Sequence, residues 1–145
     1  YHCIGIPTQA EEFLEEAKSL NVEENVTFHG AVSDRNLKVG LLASDVFLML
    51  STESFSGDVE GFGIAILEAN ALGIPAIGSR NCGIEDAILN GRSGFLVSSE
   101  NVLEIESALE QILDSPGFYK QEALNWANGH SWDDIVKRYI KIIEA

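Results

Sequence analysis

Val46-Phe47-Leu48-Met49-Leu50 is an unbroken apolar run with no polar residue at alternate positions. A strand with one wet face alternates, whereas a strand covered on both faces does not, and double cover is the habit of parallel sheets. The run therefore reads as a central parallel strand. Other strand-like runs recur at Tyr1–Ile6 (closed by Pro7), Val26-Thr27-Phe28 (ended by His29-Gly30), Pro75-Ala76-Ile77-Gly78 and Gly94-Phe95-Leu96-Val97.

Amphipathic stretches separate these runs. Thr8 with Glu11 forms a capping-box pattern ahead of Phe13, Leu14, Ala17 and Leu20, which recur at helical spacing. Ser33 or Asp34 can cap a second helix with Leu37, Leu41 and Leu42 inside. A third helix is predicted from about Gly63 to Ala71, stopping near Gly73, and a short one over Ile84–Leu89 before the Asn90-Gly91 turn. Asn101–Leu113 is clearly amphipathic, and two more helices follow around Tyr119–Asn128 and Ser131–Glu144. Strands alternating with helices and no hairpin signal predict an α/β fold: a Rossmann-like parallel sheet of about five strands, helices on both faces and a helical C-terminus. No repeat, low-complexity tract or linker divides residues 1–145, which are expected to form one domain. At 145 residues and 46% hydrophobic, the chain has material for a sizeable core.

A formal net charge of −14 disfavours docking on nucleic acid or an anionic membrane face. It leaves room for a small phosphorylated ligand held by local donors. Cys3 and Cys82 have no metal or redox spacing and read as reduced thiols of a cytoplasmic protein. No apolar run is long enough to cross a bilayer. The opening Tyr1-His2-Cys3-Ile4 reads as mid-strand, not as a signal peptide, so a piece of a longer protein is expected.

In such sheets ligands sit beyond the carboxyl ends of strands, where a loop feeds a helix. The junction from Ser51 to Glu68 has the best local chemistry, and its Ser51–Val59 loop is longer than a usual connection. From Gly61 through Ser79 the one charged side chain is Glu68. A carboxylate on a helix packed against a sheet is costly to desolvate unless it is hydrogen-bonded, and a sugar diol can donate to both of its oxygens. The alternative is a rim carboxylate reaching water. Gly61-Phe62-Gly63 lets backbone approach a ligand and leaves amides free at the positive end of a helix, although an ordinary glycine turn would look the same. Glu60 precedes the helix and is expected at the mouth of the same cleft.

Glu60-Gly61-Phe62-Gly63-Ile64, then Glu68-Ala69 after three further residues, resembles the signature of the glycosyltransferase group 1 family, family 4 of the retaining glycosyltransferases. The flanks are similar as well. Asp45-Val46-Phe47-Leu48 up to Ser51, Gly73-Ile74-Pro75-Ala76-Ile77-Gly78, Gly83-Ile84-Glu85-Asp86 and Gly91 through Val97 follow in the family's order. Val26–Gly30 and Ser131-Trp132 resemble its outer segments, so essentially the whole chain is covered. Gly57-Asp58-Val59-Glu60 is especially like transferases resembling the phosphatidylinositol mannosyltransferases. The chain departs from the pattern in its long Ser51–Val59 loop and in Asn81-Cys82-Gly83, where many members carry a Gly-Gly pair.

The resemblance implies the C-terminal, donor-binding half of a GT-B fold. It assigns Glu68 to the ribose hydroxyls of a nucleotide sugar and Glu60, as the catalytic-site acid, to the transferred sugar. It assigns the Gly61, Phe62, Gly63 and Ile64 backbone to the sugar or diphosphate, and Ala31 and Val32 to the nucleobase. No cofactor and no metal are implied; the substrate is a nucleoside-diphosphate sugar, from which a hexose passes with retention to a glycan or lipid acceptor. The family's N-terminal acceptor domain and its cationic diphosphate clamp would precede Tyr1, so the isolated piece is expected to bind donor weakly and turn over nothing. Arg35, Arg80 and Arg92 are conceivable substitutes for the clamp, and His2, His29 and His130 are poor catalytic candidates. Rival readings on the same architecture are a sugar-nucleotide epimerase, a phosphorylase and a non-catalytic binding module. A phosphorylase would need a cofactor-bearing lysine, and Lys18, Lys38, Lys120, Lys137 and Lys141 all fall on helix surfaces.

Overall fold

The computed structural model describes residues 1–6, 8–51, 57 and 60–144. Among the described residues there are six α-helices and five short strands, alternating as far as β4 and closing with three helices, and the chain divides into two compact units, Tyr1–Gly40 and Leu41–Ala145.

In the first unit, β1 (His2–Cys3) pairs in parallel with β2 (Thr27–Phe28), His2 opposite Thr27 and Cys3 opposite Phe28. The helix between them, α1 (Ala10–Ser19), starts after Gln9 with no side-chain cap. The Thr8–Glu11 capping box therefore does not form: the helix begins two residues beyond Thr8, out of reach of its hydroxyl. Ser33 does accept the Asn36 amide, at 3.4 Å, at the head of α2 (Asp34–Leu42), which runs across the boundary between the units.

The second unit is built on a parallel three-stranded sheet in the order β3 (Phe47–Met49), β4 (Ala76–Ser79), β5 (Gly94–Val97). Phe47, Ala76 and Gly94 stand in register, as do Leu48, Ile77 and Phe95. The five expected strands thus form one sheet of two and one of three. The strand buried at every position is β4, not β3, because β4 is paired along both edges while β3 lies at one side of its sheet and is only half-buried.

Strand periodicity sorts the side chains onto two faces. Phe47, Met49, Ala76 and Leu96 pack with Ile66 of α3 (Ile64–Ala71) and with Ile84, Ala87 and Ile88 in and after a 3₁₀ turn at Gly83–Ala87. Leu48, Ile77, Phe95 and Val97 pack on the other side with Ala108 and Ile112 of α4 (Val102–Asp114) and Tyr119 of α5 (Pro116–Asn128). Helices cover both faces, as the unbroken apolar runs require. The chain ends in α6 (Trp132–Ile143), capped by the Ser131 hydroxyl on the Asp134 amide at 3.2 Å.

Candidate functional site

Parallel strands deliver their carboxyl ends to one edge of a sheet, and here the loops leaving β3 and β4 meet there. Residues 52–56 and 58–59 of the expected Ser51–Val59 loop lie outside the described residues. From Glu60 onward the geometry is defined. Gly63 adopts φ 79°, ψ 55° and is the N-cap of α3. That left-handed conformation is costly for any residue with a Cβ, and a Cβ there would also sit 3.1 Å from Ile66 Cδ1. The sequence therefore turns sharply into the helix at this glycine.

The half-buried Glu60 folds back over that turn. Its Oε1 accepts the Gly63 amide at 3.2 Å, and its backbone carbonyl accepts the Gly83 amide, from the loop after β4, at 2.9 Å. Of the backbone expected to face a donor, the Gly63 amide is thus occupied by Glu60. The amides of Phe62 and Ile64 have no partner among the described residues. The Phe62 ring packs against the core beneath, and Ile64 is 64% exposed at the first position of the helix.

Glu68 lies one turn beyond Ile64 on α3 and is exposed. Water reaches it there, so the alternative of a solvated rim carboxylate holds for this chain and burial does not call for a compensating partner. The packed face of α3 is instead Ile66, Ala69 and Asn70. Asn70, with no exposure, donates from Nδ2 to the carbonyls of Ile74 at 2.8 Å and Ser93 at 3.4 Å, tying α3 to the segment before β5.

Two of the three candidate clamp arginines are engaged elsewhere. Arg80 pairs with Glu104 and Arg92 with Glu122, so neither is a free substitute for a diphosphate clamp. The Glu104 carboxyl is held below the usual carboxylate range first by the Ser98 amide, at 3.0 Å, and further by Arg80, against a desolvation that raises it. Arg35 is exposed in the first unit, where Ala31 is exposed and Val32 half-buried between β2 and α2. His2 Nδ1 and His29 Nε2 stand 3.0 Å apart, and His130 Nδ1 donates to the Trp126 carbonyl at 2.9 Å, so each histidine is bound up in local contacts. Lys18, Lys38, Lys120, Lys137 and Lys141 are all exposed. Cys3 and Cys82 are both free thiols. Among the described residues no three His, Cys, Asp or Glu side chains are grouped to hold a metal ion, and no helix is long and apolar enough to cross a membrane.

Gly83 is the residue that sequence reasoning passed over. In the Asn81-Cys82-Gly83 departure, Asn81 sits at φ 63°, a left-handed conformation that asparagine tolerates, and Cys82 is extended. A Cβ on Gly83, by contrast, would lie 1.9 Å from the Gly61 carbonyl oxygen. No turn signature announces such a contact, since it depends on where another loop runs.

The family description of glycosyl transferases group 1 matches residues 1–143. The chain belongs to that family. A similar curated relative is the GDP-mannose-dependent alpha-(1-6)-phosphatidylinositol monomannoside mannosyltransferase of Mycolicibacterium smegmatis, 32% identical over 117 residues, covering 80% of this chain and 30% of the relative. The D-inositol 3-phosphate glycosyltransferase of Arthrobacter sp. strain FB24 is 32% identical over 136 residues, covering 89% of this chain and 30% of that protein. Among solved structures, Anabaena HepE in complex with UDP and glucose superposes with a TM-score of 0.78 at 21% identity, over 99% of this chain and 39% of its own. Sucrose-phosphate synthase from Thermosynechococcus elongatus gives 0.76 at 23% identity, over 99% and 37%. The fold of this group 1 domain is accordingly the GT-B half that the family resemblance implied. It spans about 30% of the length of those two curated relatives.

Proposed function

We propose that this group 1 domain binds the nucleoside-diphosphate sugar of a retaining glycosyltransferase, which moves a hexose to a glycan or lipid acceptor. The observation that carries the reading is the Glu60–Gly63 turn. It puts a carboxylate, two unoccupied amides and the positive end of α3 together at the carboxyl end of the sheet. Amides at a helix start suit a diphosphate leaving group, whose charge grows as the glycosidic bond breaks. A carboxylate beside them suits sugar hydroxyls, which donate to it, and Glu68, exposed one turn along α3, suits a ribose diol.

The relatives support this reading. HepE is described with UDP and glucose bound, and the mannosyltransferase relative as GDP-mannose-dependent. Ala31 and Val32 are assigned to the nucleobase on family resemblance alone. The domain's own residues supply positioning and charge complementarity; the acceptor and the cationic clamp belong to the family's remaining segments. The two free thiols and the net charge of −14 fit a reducing cytoplasm and no nucleic-acid partner. The intact acid pair and Gly61-Phe62-Gly63 count against a non-catalytic module, and an epimerase-like enzyme on the same fold is the alternative reading.

Calorimetric titration with UDP, GDP and ADP tests the proposal. At least one should bind, more weakly than its sugar-bearing form. A well-folded sample that binds none of them favours the interaction-module reading.

A further inference from the structure

Two loops that leave different strands touch here backbone to backbone. The Gly83 amide donates to the Glu60 carbonyl at 2.9 Å. A Cβ built on Gly83 would stand 1.9 Å from the Gly61 carbonyl oxygen, 2.2 Å from its carbon and 2.8 Å from the Glu60 carbonyl oxygen. These are main-chain atoms, so no flexible side chain can swing aside, and the loop itself would have to move. Gly83 is not among the positive-φ glycines, so it is the closeness of approach and not a turn that demands glycine. Glu60 is consequently gripped at two points: its carbonyl by Gly83 and its carboxylate by the Gly63 amide at 3.2 Å.

We infer that Gly83 is a positioning residue for Glu60, and that its bare α-carbon and its amide set where the Glu60 carboxylate meets the donor sugar. The inference rests on the donor-site reading of Glu60. Gly83 itself touches no substrate; it acts by fixing the Glu60-Gly61 peptide. Any side chain at position 83 pushes that peptide outward and carries the carboxylate with it, while Glu68, on the helix, keeps its place. The resulting defect falls more heavily on the sugar than on the nucleotide, which keeps Glu68 and the Ile64 amide although the Phe62 amide moves with the Gly61 carbonyl.

The experiment compares UDP with UDP-glucose, and GDP with GDP-mannose, on the full-length protein by calorimetry. Gly83→Ala should weaken the sugar-bearing form by about tenfold or more, the scale on which small misplacements act, and the nucleoside diphosphate by clearly less. In a Glu60→Ala background, Gly83→Ala should cost the sugar-bearing form no more than it costs the nucleoside diphosphate, because its effect on the sugar runs through Glu60. Equal losses for both ligands, or losses that add in the double variant, overturn the positioning role while leaving the donor site standing. Wild-type protein that binds none of the four probes overturns the donor reading and this inference with it. If Gly83→Ala does not fold, hydrogen exchange of the wild-type segment 80–88 decides. UDP-glucose or GDP-mannose should slow exchange there beyond what UDP or GDP achieves, and no such difference overturns the role.

Discussion

The Glu60 carboxylate accepts the amide of Gly63, the N-cap residue of α3, across 3.2 Å, so the acid proposed to meet the donor also holds the turn into that helix. The two jobs need different chemistry. Holding the turn needs an acceptor oxygen, which glutamine keeps; binding sugar through a carboxylate needs charge, which glutamine loses. Glu60→Ala should cost about 0.5–1.5 kcal/mol of folding stability, the net value of a hydrogen bond, and Glu60→Gln a smaller fraction. Urea denaturation of the three proteins measures this. Equal stability of the alanine variant and wild type would show that the bond contributes nothing.

The proposed donor site gives the two acids separate tasks. Glu68→Gln should then weaken binding of the nucleoside diphosphate itself by about 1 kcal/mol or more, because the ribose diol meets a neutral amide in place of a charged acceptor. Glu60→Gln should leave nucleoside-diphosphate binding nearly intact and weaken only the sugar-bearing donor. Matching losses for both ligands in both variants would remove this division of labour.

Much of the fold was legible because its signals are local. Unbroken apolar runs marked the strands, Asn101 and Ser131 marked their helix starts by side-chain caps, and Gly63 marked the start of α3. The errors came from what periodicity does not encode. Which strand is central depends on pairing partners, so β4 and not Val46–Leu50 proved the most buried. Exposure of Glu68 depends on which stripe of α3 faces the sheet, and an almost uniformly apolar helix hides that stripe. The engagement of Arg80 and Arg92 with Glu104 and Glu122, and the backbone contact at Gly83, join residues far apart in sequence. Only the fold brings them together.

Asn70 is fully buried two positions after Glu68, with its amide spanning the Ile74 and Ser93 carbonyls and its Oδ1 unpartnered. Asn70→Leu should leave the Ile74 carbonyl without this donor, the Ser93 carbonyl keeping the Ala76 amide at 3.2 Å, and cost about 1–3 kcal/mol. Asn70→Asp should be worse at neutral pH, since a buried carboxylate would then face two acceptor oxygens. Acidification should narrow the gap between the two variants, because a protonated acid can donate again. Denaturation at pH 7 and at pH 5 checks both the order and the trend.

Glu104 links stability to pH. The Ser98 amide, and with it Arg80, holds its folded-state pKa below the unfolded value. Such a group contributes stability that is present above the unfolded carboxylate value, about 4.3, and is lost as pH falls through the lower folded value. Glu122, held down first by Arg92, and Asp134, held down first by the Ser131 hydroxyl, act with the same sign. Protonation also relieves the self-repulsion of a chain at −14, but this is nearly common to wild type and a single variant. Glu104→Gln should therefore be less stable than wild type at pH 7, with the two curves converging in acid. A constant offset across the titration would assign the loss to packing instead.

Asn90 guards the open side of β5. Pairing to β4 uses one edge of β5, and an unpaired edge is a template for adding a strand from another molecule. The outward donors here are blocked by side chains: the Leu96 amide by Asn90 Oδ1 at 2.9 Å and the Ser98 amide by the Glu104 carboxylate at 3.0 Å. The Gly94 carbonyl is taken by the Gly91 amide at 2.8 Å. Asn90→Ala removes the first of these blocks. The lost bond lies in an exposed setting where water can replace it, so the stability cost should be at the low end of the net value of a hydrogen bond, about 0.5–1 kcal/mol. The larger effect should be on association, because the freed Leu96 amide lies beside the half-buried apolar residues Phe95 and Leu96. Size-exclusion chromatography with light scattering over a concentration series should show Asn90→Ala self-associating where wild type does not. Adding Glu104→Gln should strengthen the effect by weakening the second block, and an Asn90→Ala protein that stays as monodisperse as wild type would show that the edge is closed by other means.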